Sequence, residues 1–240
     1  MRYERSLVVG ASSGIGREIA CQLAAEGGLV AAVARRKERL DELSTSFPSI
    51  QTYVHDVEAA DEVPALFQEI TSSLGGLDLV VYAAGVMPSV GPDEFSFEKD
   101  REIFAVNVLG AMAWLDQAAV RFGHAGHGTI VGIGSVAGDR GRAGQPAYNA
   151  SKGALATYLE ALRNRLATQG VTVTTVKPGP VATEMTAGLS LKSPMLAEKA
   201  ARKILALSGS GGERYLSWKH RLIFAVIRAI PSPIFRRMKL

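Results

Sequence analysis

A doubly wound α/β fold, with about seven parallel strands covered by helices on both faces, is predicted for this 240-residue chain by three observations. Short apolar runs alternate with helical patterns almost throughout, as repeated βα units with right-handed crossovers require. The apolar runs are nearly continuous rather than alternating, which indicates strands buried on both faces. A glycine cluster separates the first strand from the first helix, at the sheet edge where such folds bind ligands.

The elements follow in order. Strands are expected at 6–9, 29–34, 50–55, 77–83, 128–134 and 171–177, with a short last one near 215–217. Helices are expected at about 15–27, 37–46, 59–73, 97–122, 148–168 and 195–207. This gives a three-layer domain over 1–212, with a lid at about 184–198 that holds Gly188 and Pro194. The last strand and a basic, apolar tail then occupy 213–240.

Composition narrows the function. Hydrophobic residues make up 47% of the chain, enough for one large core. The lone cysteine, Cys21, lies in a helical pattern and reads as a small apolar side chain. The four histidines lack metal-ligand spacing, so no metal is expected, and the first apolar run is too short for a secretory leader. A cytoplasmic protein is therefore expected. Seven of the 27 Lys and Arg residues fall in 213–240 against one of the 23 acids, which leaves the first 212 positions at a net charge of −2. No nucleic-acid partner is expected for the body of such a chain.

Residues Gly10-Ala11-Ser12-Ser13-Gly14-Ile15-Gly16 follow the first strand and open a helix. Gly10 suits the tight turn, Gly14 the close approach of backbone to a pyrophosphate, and Gly16 the packing of helix on sheet. The helix N-terminus then offers unpaired N–H groups to phosphate, a Rossmann-type dinucleotide site. The second strand ends Val33-Ala34-Arg35-Arg36, with no acid before Glu38 to accept from a ribose 2′-hydroxyl. A guanidinium fits a 2′-phosphate, so NADP is favoured over NAD, with Arg35 the main contact and Ser13 or Arg36 assisting.

Tyr148 and Lys152 are four apart in Tyr148-Asn149-Ala150-Ser151-Lys152, hence stacked on one helix face. The ammonium is expected to favour the phenolate and draw the phenol down from its usual pKa of about 10. Together with the 10–16 turn, Asn107 and Ser135, this pair resembles the active site of the short-chain dehydrogenase/reductase family over about residues 6–205. Further landmarks fall in order: Asp56-Val57, Ala83-Ala84-Gly85, and Pro178-Gly179-Pro180-Val181-Ala182-Thr183.

The resemblance implies an NADPH-dependent carbonyl reductase. Ser135 would donate to the substrate oxygen, Tyr148 would act as general acid, and Lys152 would also hold the nicotinamide ribose. Asn107 would kink its helix and position a relay water. Asp56 and Val57 would hold adenine, Ala84 and Gly85 would line the cofactor, and Pro178, Gly179, Val181 and Thr183 would hold the nicotinamide. The family usually carries Thr at Val9 and Asn at Ala83. Replacing both partners by apolar groups can be nearly neutral, so an intact fold is expected. The resemblance also implies a homodimer or homotetramer. A non-enzymatic dinucleotide-sensing regulator or scaffold would be expected to lose a member of the tetrad, and none is lost.

The segment 218–240 is not part of the usual family core. Its apolar run 222–227 is short of the ~20 residues that span a bilayer, and its flanking Lys and Arg suit an interfacial helix on anionic lipid at the inner face of the membrane. Burial against a neighbouring subunit or the chain's own core is the other reading. More loosely, the tail and the loop 135–142 resemble the reductases of polyprenyl-phosphate-linked keto-sugars. That resemblance makes Arg140 and Arg142 candidate phosphate contacts; Met185, in the lid, is a further candidate substrate contact. A soluble ketoreductase or 3-oxoacyl reductase that oligomerises through its tail is the alternative.

Overall fold

A computed structural model of the chain describes residues 3–238; Lys239, counted above among the tail's cations, lies outside them. Buried aliphatic runs build a seven-stranded, wholly parallel sheet in the order β3-β2-β1-β4-β5-β6-β9. Its strands are β1 (Arg5–Val9), β2 (Leu29–Ala34), β3 (Ile50–Val54), β4 (Leu79–Tyr82), β5 (Gly128–Ile133), β6 (Val171–Lys177) and β9 (Gly212–Tyr215). A separate two-stranded parallel pair joins β7 (Val181–Ala182) to β8 (Met195–Leu196). The doubly wound prediction therefore holds, and the seventh strand starts earlier than the expected 215–217.

Each sheet face carries its own apolar cluster. One packs Leu7, Val80, Ile130 and Val173 under Phe67, Trp114, Phe122 and Leu159. The other packs Val8, Val30, Val81 and Val131 under Ile19, Leu23, Leu40 and Ile204. The helices responsible are α3 (Val63–Leu74), α5 (Gly110–Ala125) and α6 (Pro146–Arg165) on the first face. On the second they are α1 (Gly14–Ala25), α2 (Lys37–Ser46) and α7 (Ala197–Leu207). Alternation of inward faces along each strand divides the two clusters.

The expected helix 97–122 is interrupted. It forms α4 (Phe97–Phe104), a π-helical turn at Ala105–Leu109 and then α5. Asn107 lies in the π turn, which interrupts the regular helix at the position where a kink is expected, and a π bulge is a frequent device at functional sites. Position 195 opens β8 rather than a helix, and α7 begins two residues later. The apolar pair Val9 and Ala83 leaves the sheet intact, because the Ala83 N–H donates to the Val9 carbonyl at 2.8 Å.

Beyond β9 the chain forms α8 (Trp218–Ala229) and the short α9 (Ser232–Phe235). Since β9 pairs with β6, the expected boundary after residue 212 cuts through the sheet's last strand. What stands apart is the helical tail, and its Phe224 is buried against the body.

Candidate active site

The carboxyl ends of β1, β2, β4, β5 and β6 open into one cavity of about 850 Å³. At one end lies the glycine turn. Gly10 has φ +90°, and a Cβ there would meet the Ala84 nitrogen at 2.4 Å; a Cβ on Gly16 would meet the Gly10 carbonyl at 2.2 Å. The amides of Gly10 and Ala11 both donate to the Val33 carbonyl, at 2.8 and 3.1 Å, which turns the chain back over β2. Ser13 sits at the N-cap of α1 without a side-chain cap bond, so the first amides of α1 face the cavity mouth unspent by that hydroxyl. Ser12, Gly14 and Ile15 also line the cavity. This cradle fits the diphosphate of a dinucleotide.

The arginines divide their work differently from the sequence expectation. Arg36 donates to Ser13 Oγ at 2.6 Å and to Ser12 Oγ at 3.0 Å, and pairs with Glu184 at 2.7 Å. Arg35 faces Asp56 at 3.5 Å. The second guanidinium, not the first, is thus knitted to the phosphate turn. Arg36 holds the Glu184 carboxyl below its usual pKa range, by hydrogen bond and by charge. Val57 lines the cavity, whereas the Asp56 carboxylate accepts from the Glu58 amide at 3.1 Å.

The four predicted catalytic residues come together at the other end. Ser135 leaves β5 at the start of a 3₁₀ turn and accepts from the Ala137 amide at 3.0 Å. Tyr148 and Lys152 lie on α6, with Lys152 Nζ 5.8 Å from the Tyr148 ring centre and donating to the Ile133 carbonyl at 3.0 Å. Asn107 is fully buried; its Oδ1 accepts from the Val86 amide at 2.8 Å, and its Nδ2 donates to the Val86 carbonyl and Ser151 Oγ, each at 3.1 Å. Its side chain is therefore spent on clamping the loop after β4 to α6. A Cβ on Gly85 would stand 3.2 Å from Asn107 Oδ1 and 3.5 Å from Lys152 Nζ, so that glycine keeps the space between them open.

One electrostatic expectation is corrected. Burial raises the Tyr148 phenol above 10, and a hydrogen bond from Ser135 and the charge of Arg142 only partly oppose it. Burial also lowers the Lys152 ammonium to about 8. Desolvation penalises both charged forms and is the largest cause of each shift, and Lys152 is not among the groups that draw the phenol down. The charge that opposes burial at the phenol is that of Arg142, whose loop is tied by Asn149 Nδ2 donating to the carbonyls of Arg142 (3.3 Å) and Gly144 (2.9 Å).

The remaining predicted residues separate. Ala84, Gly85, Pro178, Gly179, Val181, Thr183, Met185 and Arg142 all line the cavity. Arg140 is turned away from it. Its guanidinium donates to the carbonyls of Ile227 (3.3 Å) and Arg228 (3.0 Å) and stacks 4.5 Å over the Phe235 ring. The two arginines therefore form no joint phosphate clamp, because the helix end and ring of the tail occupy one of them.

Among the wall residues that sequence reasoning missed are Gln145, His220 and Phe224. Gln145, just before α6, has φ +60° and a buried Oε1 with no hydrogen-bond partner among the described residues. His220 packs on Gly179, where a Cβ would meet its Cε1 at 2.1 Å, and its Nδ1 is likewise buried and unpaired. Phe224, one turn later, closes the same wall. The spacing of His220 and Phe224, four apart on a helix, was the available signal. Among the described residues no group of His, Cys, Asp and Glu could hold a metal ion.

Known proteins agree with this geometry. The short chain dehydrogenase family matches residues 4–193. An uncharacterized oxidoreductase of Myxococcus xanthus is 36% identical over 98% of this chain and 96% of its own. Carbonyl reductase family member 4 of Danio rerio is 34% identical over 86% of this chain and 84% of its own. The structure of ElxO with NADP bound superposes with a TM-score of 0.83 at 21% identity, over 92% of this chain and 99% of that one, a likeness of fold. With the glycine cradle and the Asn107, Ser135, Tyr148 and Lys152 group on one sheet edge, the chain belongs to the short-chain dehydrogenases/reductases and is an oxidoreductase.

Proposed function

We propose that this oxidoreductase reduces a hydrophobic carbonyl compound with NADPH. The observation that carries the reading is the convergence, in one cavity, of the phosphate cradle with Ser135, Tyr148 and Lys152. NADPH, when bound, supplies the hydride. The turn 10–16 and the first amides of α1 would hold its diphosphate, and Arg36 with Ser12, Ser13 and Arg35 would hold the 2′-phosphate. Lys152 and the segment 178–183 would hold the nicotinamide riboside.

The chain's own groups handle the oxygen of the substrate. Ser135 donates to it as negative charge develops. Tyr148 gives up its phenolic proton to that oxygen, and its raised pKa keeps the proton in place beforehand. Lys152, held near 8, sits behind the phenol as the next proton carrier. Around this end stand Met87, Val136, Met185, Leu189, Leu191 and Phe224, an apolar wall with Arg142 as its cation. With Arg140 committed to the tail, the apolar wall supports a hydrophobic ketone better than a phosphate-bearing sugar.

The test is oxidation of NADPH and of NADH by the purified chain against a panel of ketones of rising hydrophobicity. NADPH turnover that grows with hydrophobicity is expected. Preference for NADH would overturn the cofactor assignment, and turnover confined to small polar ketones would overturn the substrate class.

A further inference from the structure

The tail helix α8 has two faces with different tasks. His220 and Phe224, four apart, look inward and line the catalytic cavity. Trp218, Leu222 and Val226 form an opposite stripe at the same spacing, with Ile223 beside it. They are 69%, 58%, 63% and 51% exposed, respectively. At 12 residues α8 is too short to span a bilayer. The one stretch among the described residues long and apolar enough to do so, Phe97–Ala125, has most of its apolar 18-residue window buried and belongs to the core.

The tail is fixed on the body. The Asp139 carboxylate accepts from Lys177 Nζ at 2.7 Å and from the Tyr215 hydroxyl at 2.8 Å, and Arg228 of α8 donates to that hydroxyl at 3.2 Å. Arg140 holds the end of α8 and the ring of Phe235, as described above. The outward stripe therefore keeps one orientation relative to the site.

Its cations identify the occupant. Lys219, Arg221, Arg236 and Arg237 are exposed, and their side chains have no hydrogen-bond or ion-pair partner among the described residues. Two copies meeting through this face would bring like charges together. An apolar stripe bordered by unpaired cations complements a surface with negative headgroups over an apolar interior.

We infer that the outer face of α8, with Arg236 and Arg237, docks the chain onto an anionic lipid surface. The docked helix is at the same time a wall of the cavity. Resting on the reductase reading, this makes the substrate class a carbonyl compound carried in the bilayer.

The test uses the full chain and vesicles of phosphatidylcholine with or without about one-third phosphatidylglycerol. The chain has two tryptophans, and Trp114 is fully buried, so Trp218 reports on docking. A blue shift of its emission and co-flotation are expected with the anionic vesicles only, weakened about tenfold or more by high salt. The triple variant Leu222→Ser, Ile223→Ser, Val226→Ser is expected to lose binding about tenfold or more while keeping its NADPH affinity. Unchanged Trp218 emission would overturn the inference, as would equal binding to neutral vesicles. So would a wild-type oligomer that ignores vesicles and that the triple variant dissolves, which would make the face an interface between copies. Vesicle binding is read without turnover, so its failure is distinct from failure of the reductase reading.

Discussion

The two ends of the cavity are built by different means. At the phosphate end the backbone sets the shape: a Cβ on Gly10 would fall 2.4 Å from the Ala84 nitrogen and one on Gly16 2.2 Å from the Gly10 carbonyl, so neither position has room for a side chain. At the substrate end side chains set it, drawn from the lid, the loop before α6 and the tail helix. A backbone device tolerates few residue types and leaves a local signature. A side-chain wall can be rebuilt with any residues of suitable volume, so specificity is free to vary there while the chemistry stays fixed.

The largest effect is expected where the backbone has no slack. Gly10→Ala should destabilise the chain by about 2–4 kcal/mol, because a Cβ at positive φ would collide with the start of the segment after β4. Thermal unfolding checks this, and an unchanged midpoint would mean the two ends are equally plastic.

Lys152 gives the next effect, through pH. Its folded pKa of about 8 lies below the unfolded value of about 10.4. Between these values the unfolded chain binds more protons, so stability rises with pH across the window; below pH 8 the cost of burying the charge is fully present. Relative to Lys152→Met, the wild type should gain about 3 kcal/mol between pH 8 and 10.5. Denaturant titrations at both ends of the window measure it.

Smaller effects sharpen the cofactor end. Arg36→Ala should weaken NADPH about tenfold and NADH hardly at all, and Arg35→Ala should do less. The reverse order would restore Arg35 as the main contact. Glu184, the first residue of the lid, competes for Arg36 at 2.7 Å. Glu184→Gln should therefore tighten NADPH about two- to fivefold, the small change expected of an exposed pair, read by fluorescence titration.

What the sequence disclosed follows the same division. The strands, the glycine turn and the Tyr148–Lys152 spacing were legible because each is local. The break of helix 97–122 into a π turn was legible only through the resemblance at Asn107. Arg36's bond to Ser13 joins positions 23 apart, and Arg140's stack on Phe235 joins positions 95 apart. Neither carries a local pattern. The sign of the Tyr148 shift was misread for a related reason, since spacing shows a neighbouring charge but not the burial that is the largest cause of the shift.

The central claim is that Tyr148 serves the chemistry while the cradle serves binding. Tyr148→Phe removes one hydroxyl and keeps the ring. NADPH affinity and carbonyl turnover, measured on that variant side by side, test the claim most directly. Turnover is expected to fall about 10²–10⁴-fold with NADPH affinity held within about twofold. Turnover within a few-fold of wild type would contradict the account.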